Sequence, residues 1–403
     1  MIWAVTSRRL ILSVALSIST LIVTLLAGEI LLRFRDDPLD LTRIPALARI
    51  NPYAANPFIV RARPYLYFHR PRAEYIQSNP GYEVAYRINS LGFRGTEISR
   101  TAPKGFRRLL VVGDSVVEGH GVDFNDTFAT LLGRELHPQG WEVVNVGVQG
   151  ASPLYYACNL DRYLNLHPDA ILLLIFDNDL YEDRSRESQY FKLPDMDDPD
   201  ALLSGEVRPS SSPFKLVTLV RRMMKRLDQA RADSALDLMV RENLRGFRPN
   251  EEQKSLDTLS PYLVAPSLFD AEWRMSERYL DLIATRLQES GVRLFVANLS
   301  LTNLDTQKPP AYRGHALRLE AGVQDWASSR KIPFLDLIPA VDGPINGNPK
   351  SALTIPMDGH PSAEGHAFMA RELLSWLRRA LPTGSSLRSG WDCQLRLAAF
   401  STN

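Results

Sequence analysis

A serine hydroxyl becomes a nucleophile when a base takes its proton, and the base needs a carboxylate to fix its tautomer and stabilise its charged form. The chain carries residues in an order that suits this chemistry. Gly113-Asp114-Ser115 stands where a short apolar run, Arg108 to Val112, ends and a helix can begin. A serine there is lifted to the C-terminal edge of a parallel sheet, where α/β proteins hold their ligands. Far downstream lies Pro356-Met357-Asp358-Gly359-His360-Pro361. Pro361 keeps His360 out of helical backbone, leaving the segment extended or turning. In an extended segment residues two apart point the same way, so Asp358 can reach the imidazole of His360. Ser115 is the candidate nucleophile, His360 the candidate base and Asp358 its orienting carboxylate.

Between these ends lie Asn145-Val146-Gly147-Val148-Gln149-Gly150 and Asn178, each after an apolar run and each at the sheet edge that holds Ser115. A glycine N–H from the first segment, the amide of Asn178 and the N–H of Ser115 could together form an oxyanion hole. Other chemistries lack their residues. There is no GxxxxGK[ST] loop, no GxGxxG after the first strand and no HExxH, so nucleotide-phosphate and zinc-protease motifs are missing. Asp177-Asn178-Asp179 lacks the following Gly and distant Glu of a calcium loop. His360 and His366 would fall on different faces of a helix, which makes a metal pair improbable. With 2 cysteines in 403 residues, a disulfide scaffold, a cysteine zinc ribbon and an iron–sulfur cluster are all excluded. No metal and no organic cofactor is expected. The GxSxG nucleophile elbow does not fit, because Val117 stands at its second Gly. His120 reads as a loop residue, and His366 as facing solvent or packing at the start of the last helix.

The elements that must position these residues follow from hydrophobic runs. Strands are expected at Arg108–Val112, Trp141–Val146, Ala170–Ile175, Val292–Ala297 and Pro333–Leu337. Helices are expected at about 124–137, 153–166, 270–289, 312–329 and 363–380. Near-continuous apolar strands separated by helices indicate a parallel sheet covered on both faces. The fold class is α/β, three-layered α/β/α with about five mainly parallel strands.

At this point the sequence resembles the SGNH (GDSL-type) serine hydrolases. Gly113-Asp114-Ser115, the Gly of the Asn145–Gly150 segment, Asn178-Asp179 and His360-Pro361 follow in the family's order, across about 105–382. The stretch Tyr86-Arg87-Ile88-Asn89-Ser90-Leu91-Gly92-Phe93-Arg94-Gly95 looks like the segment that precedes the catalytic domain in membrane-anchored bacterial members. The resemblance implies a flavodoxin-like sheet, catalytic Ser115, His360 and Asp358, and an oxyanion hole of Ser115, Gly150 and Asn178, with Gly147 as the fallback glycine. Two positions depart from the family. Phe176 replaces the Gly of Gly-x-Asn-Asp, and Asp358 lies one residue closer to the histidine than in Asp-x-x-His, where Met357 stands.

Leu10 to Gly28 carries no charge, and Ile30-Leu31-Leu32 extends the run past Glu29. At about 1.5 Å per residue it crosses a hydrocarbon core of about 30 Å, and Leu25-Leu26-Ala27-Gly28 lacks the small-x-small site of a signal peptide. Arg8 and Arg9 precede it and Arg33 and Arg35 follow, so flanking charge gives no orientation. The resemblance implies a cytoplasmic N-terminus, single-pass anchorage in the inner membrane and a periplasmic or extracellular body.

The expected organisation is 1–9 cytoplasmic, 10–32 transmembrane, 33–105 a proline- and aromatic-rich connector, 106–382 catalytic with a helical insertion at 184–268, and 383–403 a tail. Within the insertion Leu216, Val220, Met223, Met224 and Leu227 share a face opposite Arg221, Arg222, Lys225 and Arg226. Such a helix lies on an anionic membrane or packs on the domain. A net charge of +1 gives no global pull towards nucleic acid. Cys158 and Cys393 could pair in an oxidising compartment. The expected partners are the membrane and an acyl ester or acylated glycan. Hydrolysis is favoured over O-acyl transfer to an envelope glycan, and over a non-catalytic glycan- or partner-binding domain.

Overall fold

The computed structural model describes residues 2–34, 48–52, 56–196, 199–204, 216–217, 220, 234–246, 253–254, 264–300, 310–337, 349–356 and 358–381. A first helix, Ile2–Phe34, contains the apolar stretch Ser13–Leu32, long and apolar enough to cross a bilayer and almost wholly unburied by the rest of the chain. Most of the amphipathic segment Leu216–Leu227, the tail 383–403 and Cys393 lie outside the described residues. At Leu216 a backbone N–H reaches Glu29 of the first helix at 2.8 Å.

Ahead of the main sheet come five short strands: β1 (Arg49–Ile50), β2 (Ile59–Val60), β3 (Phe68–His69), β4 (Glu74–Asn79) and β5 (Tyr82–Arg87). The proline spacing that rules out long helices here leaves room for short extended pieces. β4 and β5 form an antiparallel hairpin whose tip pairs Asn79 with Tyr82. Residues directly opposite in such a pair share a face, so both side chains leave the hairpin on one side. Asn79 closes the Pro80-Gly81 turn through its side-chain oxygen, which accepts the Gly81 N–H at 2.6 Å.

The main sheet holds β6 (Arg107–Val112), β7 (Trp141–Asn145), β8 (Ala170–Phe176), β9 (Arg293–Leu299) and β10 (Phe334–Asp336), in spatial order β10-β9-β8-β6-β7, all parallel. Alternate residues feed two cores. Leu110, Val112, Ile171 and Leu173 face the helices Pro153–Cys158 and Phe269–Glu289, while Leu109, Val111, Leu172 and Leu174 face Phe128–Leu136 and Ala363–Ala380. Every residue of β8 is buried, as a strand covered on both faces requires. This is the three-layer α/β/α class. The chain leaves β6 for one side and returns at β8 on the other, so the switch point lies between their C-terminal ends, where a crevice for ligands forms.

One detail differs from the sequence patterns. The stretch 153–166 is two helices, Pro153–Cys158 and Leu160–Leu164, with Asn159 buried between them and donating to Tyr65 O and Tyr155 O. Part of the 184–268 insertion docks as well. Asn243, in the helix Ala235–Gly246, donates to Glu187 at 2.7 Å and to the Tyr279 hydroxyl at 3.1 Å.

Candidate active site

Ser115 opens a one-turn helix, Ser115–Glu118, directly after β6. Asp114 caps it, accepting the Val116 N–H at 2.9 Å. A four-residue helix is too short to hold itself together, and its other end is fixed from outside. Gly119 takes the left-handed conformation at φ +87, and Arg94 donates to the carbonyls of Glu118 (3.1 Å), Gly119 (2.6 Å) and Val122 (2.8 Å). Arg94 itself lies 3.8 Å over the Tyr86 ring. It is delivered by a turn in which Asn89 accepts the N–H groups of Leu91 and Phe93, both at 3.0 Å, with Gly92 at φ +79. The Asn89–Arg94 stretch thereby caps the serine helix.

The Ser115 hydroxyl donates to His360 Nε2 at 2.9 Å, and His360 Nδ1 donates to Asp358 Oδ1 at 2.5 Å. The shortened Asp-x-His spacing works through a turn. The N–H groups of Asp358 and Gly359 both bond to Ile355 O, at 3.2 and 3.1 Å, and Gly359 sits at φ +87, a conformation that suits glycine. The Ile355 N–H bonds to His360 O at 2.8 Å and closes the loop. The other oxygen of Asp358 accepts from Asn79 Nδ2 at 3.0 Å, and His120 Nε2 lies 3.4 Å from it.

His120 lies in the turn that follows the serine helix. It is buried, its ring stacks on His360 with centroids 4.0 Å apart, and its Nε2 lies 2.7 Å from the Tyr82 hydroxyl. Burial, and the neighbouring His360, lower its pKa. The signal was a histidine soon after the serine, but its partners Tyr82 and Asp358 lie in remote segments. His366 packs at the start of its helix and is fully buried, accepting the Phe128 N–H at 3.2 Å, and burial pushes its pKa down to about 3.

Two further carboxylates shape the site. Burial raises the Asp114 carboxyl to about 6, against the hydrogen bond from the Val116 N–H and the nearby His360. Asn178 directly follows β8, at the sheet edge that holds Ser115, where its side-chain amide has two N–H groups to offer. Glu118, hidden in the run Ser115-Val116-Val117-Glu118, accepts from buried His69 at 2.5 Å and from the Gln149 N–H at 2.7 Å. It ties the segment before Gly150 to the serine helix. Gly147 packs so tightly on that helix that a Cβ would stand 2.5 Å from the Glu118 nitrogen. Gly150 sits at φ +70 with Arg186 and Tyr67 over it.

His120, Asp358 and His360 bring ligand atoms within 4.8 Å of one another, the spacing a metal would need. Those same atoms are engaged with one another, with Ser115, Tyr82 and Asn79, and the set is a hydrogen-bond relay.

A parallel sheet with a serine lifted at its switch point is the build of an α/β/α hydrolase. Residues 111–368 match the GDSL-like lipase/acylhydrolase family, more than half of the chain, and the chain belongs to that family. It is a serine ester hydrolase. No curated protein matches it closely enough to count. Among solved structures it is similar to the psychrotrophic esterase EstA from Pseudoalteromonas sp. (11% identity over 68% of this chain and 98% of that one, TM-score 0.38). It is also similar to Axe2, an acetylxylan esterase from Geobacillus stearothermophilus (15%, 67% and 93%, TM-score 0.38), and to a lipase/acylhydrolase from Enterococcus faecalis (12%, 70% and 100%, TM-score 0.38). The family match, and not these likenesses, places the chain.

Proposed function

We propose that the chain is an envelope esterase that cleaves short acyl esters, O-acetyl groups foremost, through an acyl-enzyme on Ser115. The observation that carries the reading is the continuous relay from the Ser115 hydroxyl through His360 to Asp358, 2.9 and 2.5 Å in its two links. His360 Nε2 takes the hydroxyl proton as Ser115 Oγ bonds to the ester carbonyl carbon, and Asp358 steadies the imidazolium. The negative oxygen that results is met by the N–H groups of Ser115 and Gly150 and by the Asn178 amide. As the C–O bond to the alcohol breaks, the His360 proton goes to the departing oxygen. Water, deprotonated by His360, then releases the acid and restores Ser115.

An envelope location is supported by the apolar helix Ser13–Leu32, which suits a membrane anchor and equally a signal sequence. We assign it as an uncleaved anchor with the body outside the cytoplasm. The test is a single-turnover assay of the full chain in detergent, with acetyl, butyryl and longer acyl esters, in the presence and absence of glycan acceptors. Release of free acid, fastest for the short acyl groups and unaffected by acceptors, is the expected result. Acyl groups recovered on sugar would replace hydrolysis by transfer.

A further inference from the structure

The reaction as described uses one oxygen of Asp358, yet the structure places two groups from outside the relay on the other. Asn79 Nδ2 donates to Oδ2 at 3.0 Å and His120 Nε2 stands 3.4 Å from it. The same His120 nitrogen lies 2.7 Å from the Tyr82 hydroxyl. In the neutral tautomer with the proton on Nε2, this N–H stands between the Tyr82 hydroxyl and the Asp358 carboxylate and meets both. The Asp358 side chain is 1% exposed, so water is a poor substitute for these donors.

Such help has a physical reason. Rotation of a carboxylate about its last bond is only weakly restrained. Asp358 is separated from His360 by a single glycine at φ +87, and the His360 backbone N–H reaches only its near oxygen, Oδ1, at 3.3 Å. Holding Oδ2 fixes the plane of the group and keeps Oδ1 aimed at Nδ1 of His360. The His120 ring, stacked 4.0 Å from that of His360, also bars the imidazole from swinging away. We propose that His120 is a positioning residue of the esterase reaction: together with Asn79 it clamps the far oxygen of Asp358, and through Asp358 it sets the orientation of His360. This rests on the reading of Ser115, His360 and Asp358 given above. His120 is not a second base, because the Ser115 hydroxyl is bonded to His360.

The experiment compares His120→Ala, His120→Gln and His120→Phe in the full chain, on an acetyl ester. Gln offers an N–H where Nε2 stood, and Phe keeps the ring without the donor. His120→Ala should lower kcat by about 10- to 100-fold, on the scale of the loss when outer groups that orient metal-bound residues are removed, with KM within about twofold. His120→Gln should restore most of the rate and His120→Phe should not. In an Asp358→Asn background, His120→Ala should cost less than about twofold, since both changes break one device. A rate restored by Phe but not by Gln, or the same loss with and without Asp358, would overturn the clamp. Should the Ala variant not fold, the Gln and Phe pair decides. Labelling of Ser115 by a serine-directed phosphonate in the unmodified chain tests the underlying assignment separately, and its failure would be distinguishable from failure of the clamp.

Discussion

Asn79 and Asp358 lie 279 positions apart, yet the amide of the first donates to the carboxylate of the second at 3.0 Å. Asn79 belongs to a hairpin tip that precedes the family-matched residues 111–368. Tyr82, His69 and Arg94 come from the same preceding region and meet His120, Glu118 and the end of the serine helix. The described residues from β3 to Arg94 are therefore part of the apparatus that supports the serine and not a tether.

That relationship makes a first prediction at His69. Burial alone would raise the Glu118 carboxyl, but the charge and hydrogen bond of His69, with Arg94 and the Gln149 N–H, hold it below its ordinary value. Its stabilisation is present above the usual glutamate range and is lost as pH falls. His69→Ala leaves a buried carboxylate without its partner, which costs about 3–5 kcal/mol. Chemical denaturation near neutral pH should show a loss of that order, and an unchanged midpoint would contradict the role given to the pair.

Asp358 supplies a second prediction. Asp358→Asn keeps the size of the side chain but loses the tautomer control of His360, and should lower kcat by up to about 10⁴-fold. Steady-state kinetics on an acetyl ester checks it. A drop of less than about tenfold would assign the orientation of His360 to another group.

Buried acids give a pH prediction of opposite sign. Asp183 accepts from the Leu154 N–H at 2.8 Å and the Ser276 hydroxyl at 2.6 Å, and burial still raises it to about 7. A carboxyl that titrates higher in the fold than in the unfolded chain favours folding while protonated. Its contribution is full below the unfolded value and fades as pH rises from about 4 to about 7. Asp183→Asn mimics the protonated form. It should be more stable than the parent at about pH 8, by up to about 4 kcal/mol, and no more stable at about pH 4. Thermal melts at the two pH values decide, and a gain larger in acid would reverse the sign.

The apolar helix yields the fourth. Ser13–Leu32 should hold the full chain in the membrane fraction through a high-salt wash, because salt weakens electrostatic adhesion and leaves an inserted span in place. A reporter fused after Asn403 should be active outside the cytoplasm. Release by salt, or a reporter active inside, would rule out the envelope location.

How much of this was visible in the sequence depends on the range of each contact. The five strands and the order of Ser115, Asn178 and His360 are written in local runs, since each apolar stretch ends at a residue lifted to the sheet edge. Asp358 was legible by its distance from His360, although the backbone turns there where an extended course also fitted. His120 and Glu118 were not. A histidine in a Gly-rich turn and a glutamate closing an apolar run look like surface residues, and only the approach of β3, β4 and β5 buries them. The hairpin residues Asn79 and Tyr82 carry no local sign of function, because their partners lie at the far end of the chain or across the sheet.

The central claim is that Ser115 is a nucleophile activated by His360. Incubating the full chain with a fluorophosphonate and locating the adduct by peptide mass spectrometry tests it most directly. The expected result is one phosphonate on Ser115, absent in Ser115→Ala and strongly slowed in His360→Ala, with all three proteins folded. Ester turnover undiminished in Ser115→Ala, or a label on a different residue of the unmodified chain, would contradict it.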